Sequence, residues 1–199
     1  MANYGMSLAK GQEALMVVNG KPIQRIRLEV GWHPIYGEEN MDIDSSILVY
    51  QKEQPDIQEL ISYYNKHSYN GSICHNGDNL TGEDDYFGYD SEDGVDETID
   101  VDLASLDPHY NRLAVAINIY DAHAKEQTFE DVDGLFIRIV NTDDGSYICN
   151  YKVTNKIYND NTLVIGLFLK KGTEWIFKAL GVSYDFDNIE NFADMVAEH

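Results

Sequence analysis

Basic residues are scarce in this chain. Fourteen Lys and Arg face 35 Asp and Glu, leaving a formal net charge of -21. A polyanion of this kind is repelled by nucleic acid and by anionic membrane surfaces, so neither is expected as a partner. Cations are what it attracts, whether metal ions or basic protein patches. Cysteine is nearly missing too. Cys74 and Cys149 are too few for a disulfide framework, and no CxxC pair marks a zinc site. Both are expected as free buried thiols in a reducing compartment. There are only four prolines, and no segment is of low complexity. No stretch approaches the roughly eighteen apolar residues of a membrane-spanning helix. The opening MANYGMSLAKGQ lacks the apolar run of a secretory leader, so a cytoplasmic location is expected. GxSxG, HExxH and a Gly-rich phosphate loop are all absent, which points away from an enzyme.

What is present is alternation. Ile26, Leu28 and Val30 interleave with Arg25, Arg27 and Glu29. Leu113, Val115, Ile117 and Ile119 repeat the period of two, as do Leu135, Ile137 and Ile139. SSILVY, LISYY, SYICNYKV, TLVIGLFLK and EWIFKALG also read as strands. Turn signals separate these runs: NG at 19–20 and 70–71, DDG at 143–145 and KKG at 170–172. Fourteen Tyr and seven Phe suit pleated surfaces. About nine or ten strands in 199 residues predict an all-β protein, a β-sandwich of two antiparallel sheets in a single domain. Residues 121–131 read as a turn or one short helix. The tail 187–199 reads as a short C-terminal helix, with Asp187 as N-cap and Glu190 completing a capping box. Its stripe of Ile189, Phe192 and Met195 or Val196 is expected to dock on the sandwich.

The acids are not spread evenly. Eleven of the 35 lie within residues 78–102, and no Lys or Arg occurs from Asn76 through Asn111. Two carboxylates about 4 Å apart repel by roughly 4 kcal/mol at an effective dielectric of about 20. Several such pairs would rival a domain's whole stability of roughly 5–15 kcal/mol. Either the segment stays splayed in water or a cation neutralises it. Calcium suits these residues, because it takes carboxylate, carbonyl and side-chain amide oxygens, and Asp78, Asn79 and Glu83 offer all three around a Gly-bounded turn. Zinc would want His or Cys, and only Cys74 and His75 stand close by. The spacing is not that of an EF-hand: placing Gly94 or Gly145 at the motif's glycine puts Tyr89 or Val140 where an Asp is required. Upstream, Asp42 and Asp44 share one side of a strand while Ile43 and Ile47 take the other. Two like charges on one strand face call for something positive between them.

These residues also form a pattern. GDNLTGEDD followed by VDETIDVDL resembles the signature of the TerD family, the tellurium-resistance and stress-response calcium-binding proteins. Gly77, Asp78, Asn79, Thr81, Gly82 and Glu83 match its first part; Asp96, Glu97, Ile99, Val101, Asp102 and Leu103 match its far end. LEVGWHP, MDIDSS and the Gln127-Thr128-Phe129 stretch resemble further family elements, in order, from about Met6 to Tyr184. The resemblance implies a β-sandwich with calcium ions held by acidic loops at one end. It implies a ligand set drawn from Asp42, Asp44, Asp78, Asn79, Glu83, Asp85, Asp96 and Glu97. The chain departs from the pattern at 84–95, where YFGYDSEDGV lengthens the loop, Asp84 replaces a Gly and Val95 replaces an acid. Asp90 or Asp93 then competes with Asp85 for its role, and one of two expected sites is altered. Tyr86, Phe87 and Tyr89 either form a contact surface or fold back. The function implied is a non-enzymatic, calcium-ordered interaction module whose partners are other stress-response proteins. Two alternatives stand beside it: a metal- or carboxylate-dependent hydrolase, and a calcium-independent scaffold.

Overall fold

The computed structural model describes residues 5–35, 41–52, 54–80, 94–153, 159–186 and 191. Among them are fourteen strands, and two sheets of six strands each carry the fold. The first sheet runs in the order β1 (Met6–Leu8), β12 (Tyr147–Lys152), β11 (Val132–Asn141), β5 (Arg25–Pro34), β9 (Glu97–Asp102), β8 (Ile73–His75). The second runs β2 (Glu13–Leu15), β14 (Glu174–Tyr184), β13 (Thr162–Lys171), β10 (Tyr110–Ile119), β6 (Ile43–Gln51), β7 (Gln54–Ile61). Neighbours are antiparallel except at one edge, where β1 pairs parallel to β12. A two-stranded ribbon, β3 (Val17–Val18) and β4 (Lys21–Pro22), turns at Asn19 and Gly20, both with positive φ. That is the geometry a two-residue Asn-Gly hairpin needs.

The alternating residues do what their period requires. Ile26, Leu28 and Val30 from β5 and Ile137 and Ile139 from β11 face Ile47 and Val49 of β6 and Leu113, Val115 and Ile117 of β10 in one buried cluster. Outside the first sheet the interleaved charges pair across strands: Arg27 with Asp100 at 2.7 Å, Arg138 with Glu29 at 2.9 Å. The second sheet is different. Leu48, Tyr50, Ala114, Ala116, Val164 and Leu167 form a second buried cluster on its other side. This sheet is apolar on both faces, which is why SSILVY and TLVIGLFLK read as continuous runs rather than alternations. A bulge at Val164–Gly166 shifts the phase of β13, so that Ile165 and Phe168 both reach the inter-sheet core. Gly166 is required there, since a Cβ would lie 2.5 Å from the Lys178 carbonyl oxygen.

Three expectations need adjusting. The strand expected at LISYY begins earlier, at Gln54, and ends at Ile61; Ser62 to Asn65 turn away, closed by the Ser62 amide on the Asn65 carbonyl. Pro55 lies within this strand and is tolerated because β7 is a sheet edge. The strand count exceeds nine or ten because β1 to β4 and β8 are only two or three residues long. Residues 121–131 hold both a one-turn helix α1 (Ala122–Lys125) and a 3-10 turn, Phe129–Asp131, capped by Thr128. The expected helix at 187–199 and most of the insertion at 84–95 lie outside the described residues.

Candidate metal centre

β6 and β9 belong to different sheets, yet their first residues meet at one end of the sandwich. The Ser45 amide donates to Glu97 Oε2 across that gap at 2.7 Å. Trp32, on β5, holds both sides of it. Its backbone amide donates to Asp96 Oδ2 at 2.9 Å, and its indole Nε1 donates to the Met41 carbonyl at 3.0 Å. The chain entering β9 and the chain entering β6 are therefore pinned by one residue. Gly31 makes room for this: a Cβ there would lie 2.1 Å from the Gly94 carbonyl oxygen.

Ile43 and Ile47 fill the inter-sheet core, and Asp42 and Asp44 converge with Asp78 from the loop after β8. One carboxylate oxygen from each lies within 4.8 Å of the others. Asp42 and Asp44 are buried, while Asp78 is exposed. Burial pushes the Asp44 carboxyl up to about 8, helped by the charges of Glu97, Asp42 and Asp78. Burial also raises Asp42 to about 6, with Lys125 pulling the other way. The Lys125 ammonium sits 4.0 Å from Asp42 Oδ2 and 5.2 Å from the Tyr120 ring centroid. Asn118, opposite Asp44 on β10, donates weakly to it at 3.5 Å.

Glu97 is 2% exposed. Its Oε2 takes the Ser45 amide and lies 3.4 Å from His75 Nε2. Among the described residues, Glu97 Oε1 and Asp42 Oδ1 are buried and have no hydrogen-bond donor. Orphaned buried carboxylate oxygens are costly, and a bound cation is the ordinary remedy. The remaining carried-over residues fall as follows. Asp96 accepts from the Trp32 amide and from Asn79 Nδ2 at 3.0 Å, so these two residues tie the two ends of the acidic loop together. Glu83 and Asp85 lie outside the described residues.

The donors suit a hard cation. The three converging groups are all carboxylates, with no His or Cys in the cluster. Calcium binds oxygens at about 2.3–2.6 Å, so oxygens on one ion are at most about 5 Å apart. The observed spread fits a single coordination sphere. His75 is engaged elsewhere: its Nδ1 accepts from the Gly77 amide, leaving Nε2 to face Ser45 Oγ at 3.3 Å and Glu97. Ser45, His75 and Glu97 are the residue types of a hydrolytic triad, but Ser45 and Glu97 crowd the same ring nitrogen. A triad needs one partner on each nitrogen. His75 and Glu97 side chains are also wholly buried.

Comparison with known proteins identifies the family. The model of the TerD domain matches residues 4–195. The chain belongs to the TerD domain family. Among curated relatives, this TerD domain is 28% identical over 183 residues to general stress protein 16U of Bacillus subtilis, covering 90% of this chain and 91% of that one. It is 28% identical over 182 residues to the tellurium resistance protein TerD of Serratia marcescens, with the same coverage. A solved homologue of the telluride resistance protein TerD from Streptomyces coelicolor superposes with a TM-score of 0.68 over 88% of this chain and 98% of that one, at 17% identity. The last comparison speaks to the fold alone.

Sequence reasoning gave Lys125 and Ser45 no role at this end of this TerD domain, named Trp32 only within LEVGWHP and weighed His75 only as a zinc donor. Trp32 left a signal, the Gly-Trp pair in LEVGWHP. Lys125 left none, because it lies more than eighty residues from Asp42 in the chain.

Proposed function

We propose that this TerD domain is a non-enzymatic, cytoplasmic calcium-binding protein of the tellurite-resistance and stress-response type. Asp42, Asp44 and Asp78 bind the ion, and Glu97 lies beside them as a further acceptor. Glu83 and Asp85 are the additional ligands that the family resemblance supplies. The observation that carries this reading is the convergence of the three carboxylates within 4.8 Å, two of them buried. A group whose charged form is so disfavoured by burial gains most from a divalent cation. The ion ties Asp78, on the sheet-one side, to β6 of the second sheet, and so makes the acidic end a docking surface for other stress-response proteins.

The test is thermal melting in EDTA and in millimolar calcium. At about 100 times the dissociation constant, a bound ligand adds roughly 2.7 kcal/mol. The calcium sample is therefore expected to melt several degrees higher. Superimposable curves would remove the proposal.

A further inference from the structure

Bases are scarce in this chain, 14 against 35 acids. Among the described residues, Arg25 pairs with Asp143, Arg27 with Asp100, Arg138 with Glu29 and Lys171 with Glu13, all away from the carboxylate cluster. One cation is turned toward it. Lys125 ends the one-turn helix α1, and its ammonium lies 4.0 Å from Asp42 Oδ2 with its side chain one-third exposed. Its other neighbour is the Tyr120 ring, 5.2 Å away, and Tyr120 in turn packs edge-on against Tyr63 at 5.8 Å. The ammonium therefore has two resting places within reach: a carboxylate, and an aromatic face that attracts cations without hydrogen bonding them.

We propose that Lys125 is a tethered competitor for the metal centre: its ammonium occupies the Asp42 side of the site when no divalent ion is bound, and withdraws along the Tyr120 face when one binds. This rests on the calcium reading above and assigns that site an affinity-setting residue. A single positive charge on a flexible stem partly neutralises Asp42 but cannot ligate Asp44 and Asp78 at once. A divalent ion, with twice the charge and room for all three oxygens, displaces it. Monovalent cations offer no more charge than the ammonium already in place, and the tether gives the ammonium the advantage of proximity. The device lowers the affinity for calcium and selects against sodium and potassium.

The test uses full-length protein and calcium chloride in isothermal titration. Lys125→Met keeps the length and apolar stem over Tyr120 and removes the charge; Lys125→Arg keeps the charge. A partly exposed ion pair is worth a modest factor, so Lys125→Met should bind calcium about threefold to tenfold more tightly, and Lys125→Arg should bind as wild type does. In parallel, acylation of lysines by a small amine-directed reagent, read by mass spectrometry, should be faster at Lys125 with calcium than with EDTA and unchanged at Lys171. Equal or weaker binding by Lys125→Met, equal tightening by Lys125→Arg, or calcium-independent labelling of Lys125 overturns the inference. Wild-type protein that takes up no calcium overturns the calcium reading itself, a result distinct from a wild type that binds and a variant that binds no better.

Discussion

Asp44 is the clustered carboxylate whose charged form burial disfavours most. Its carboxyl, ordinarily at 3.8, is pushed to about 8 by burial and by the neighbouring charges of Glu97, Asp42 and Asp78. Between those two values the folded protein holds a proton that the unfolded chain has released. Calcium-free stability must then fall as pH rises from about 4 toward about 8, the reverse of a salt-bridged carboxylate. Asp42 adds to the fall over a shorter range, ending near its own value of about 6. Asp44→Asn is accordingly expected to raise the melting temperature in EDTA at pH 8, to flatten its decline above pH 6, and to abolish the calcium-induced shift. Melting curves at several pH values, with and without calcium, check all three. A variant that melts lower in EDTA at pH 8 would show that Asp44 is a structural anchor rather than a strained ligand. Asp42 and Asp44 were named from the sequence because a spacing of two on a strand places them together, and Asp78 because it lies in the acidic Gly-bounded turn. The burial of Asp42 and Asp44 was not legible there, since it depends on strands distant in the chain, such as β10, whose Asn118 lies opposite Asp44.

Among the elements, β5 does most to shape the metal end. Its alternation was plain in the sequence, and Ile26, Leu28 and Val30 enter the core as the period requires. Its last residues serve the site instead. The Trp32 indole is buried and spends its N–H on the Met41 carbonyl, one residue before Asp42. Replacing Trp32 with Phe keeps an aromatic ring and the backbone bond to Asp96 but orphans that carbonyl. An unsatisfied buried acceptor costs about 1–3 kcal/mol. Trp32→Phe should lose stability of that order in urea and weaken calcium binding, because the entry to β6 is no longer pinned. Unaltered affinity in calorimetry would separate Trp32 from the site. β7 shows where sequence reading slips: the strand was placed at LISYY, whereas it runs from Gln54 to Ile61, with Pro55 accommodated because β7 is a sheet edge. The second sheet's two apolar faces were likewise blurred, because Ala114 and Ala116 read as neutral fillers until they pack against Leu48 and Leu167.

At the scale of the whole molecule, the net charge of -21 works against compactness. Arg25, Arg27, Arg138 and Lys171 pair with acids away from the carboxylate cluster. The metal end is left with an excess of acid that only Lys125 offsets among the described bases. Added salt shortens the range of such repulsion. Raising sodium chloride from about 20 mM to about 500 mM should therefore raise the melting temperature in EDTA, and raise it less when calcium is present. A melting temperature that falls with salt would contradict the view that self-repulsion limits the calcium-free fold.

Local chemistry determined what could be read without coordinates. Period-two alternation fixes which side chains share a face, Asn-Gly fixes a tight reversal, and a run of oxygen donors without bases, His or Cys gathers the donor chemistry that a hard cation would take. Tertiary structure alone decided which distant groups meet. Asp42 precedes β6 of one sheet and Asp78 follows β8 of the other, Lys125 arrives from a helix far along the chain, and Trp32 bridges two strand entrances. No local pattern encodes those distances, because they follow from how two twisted sheets stack and which of their ends coincide.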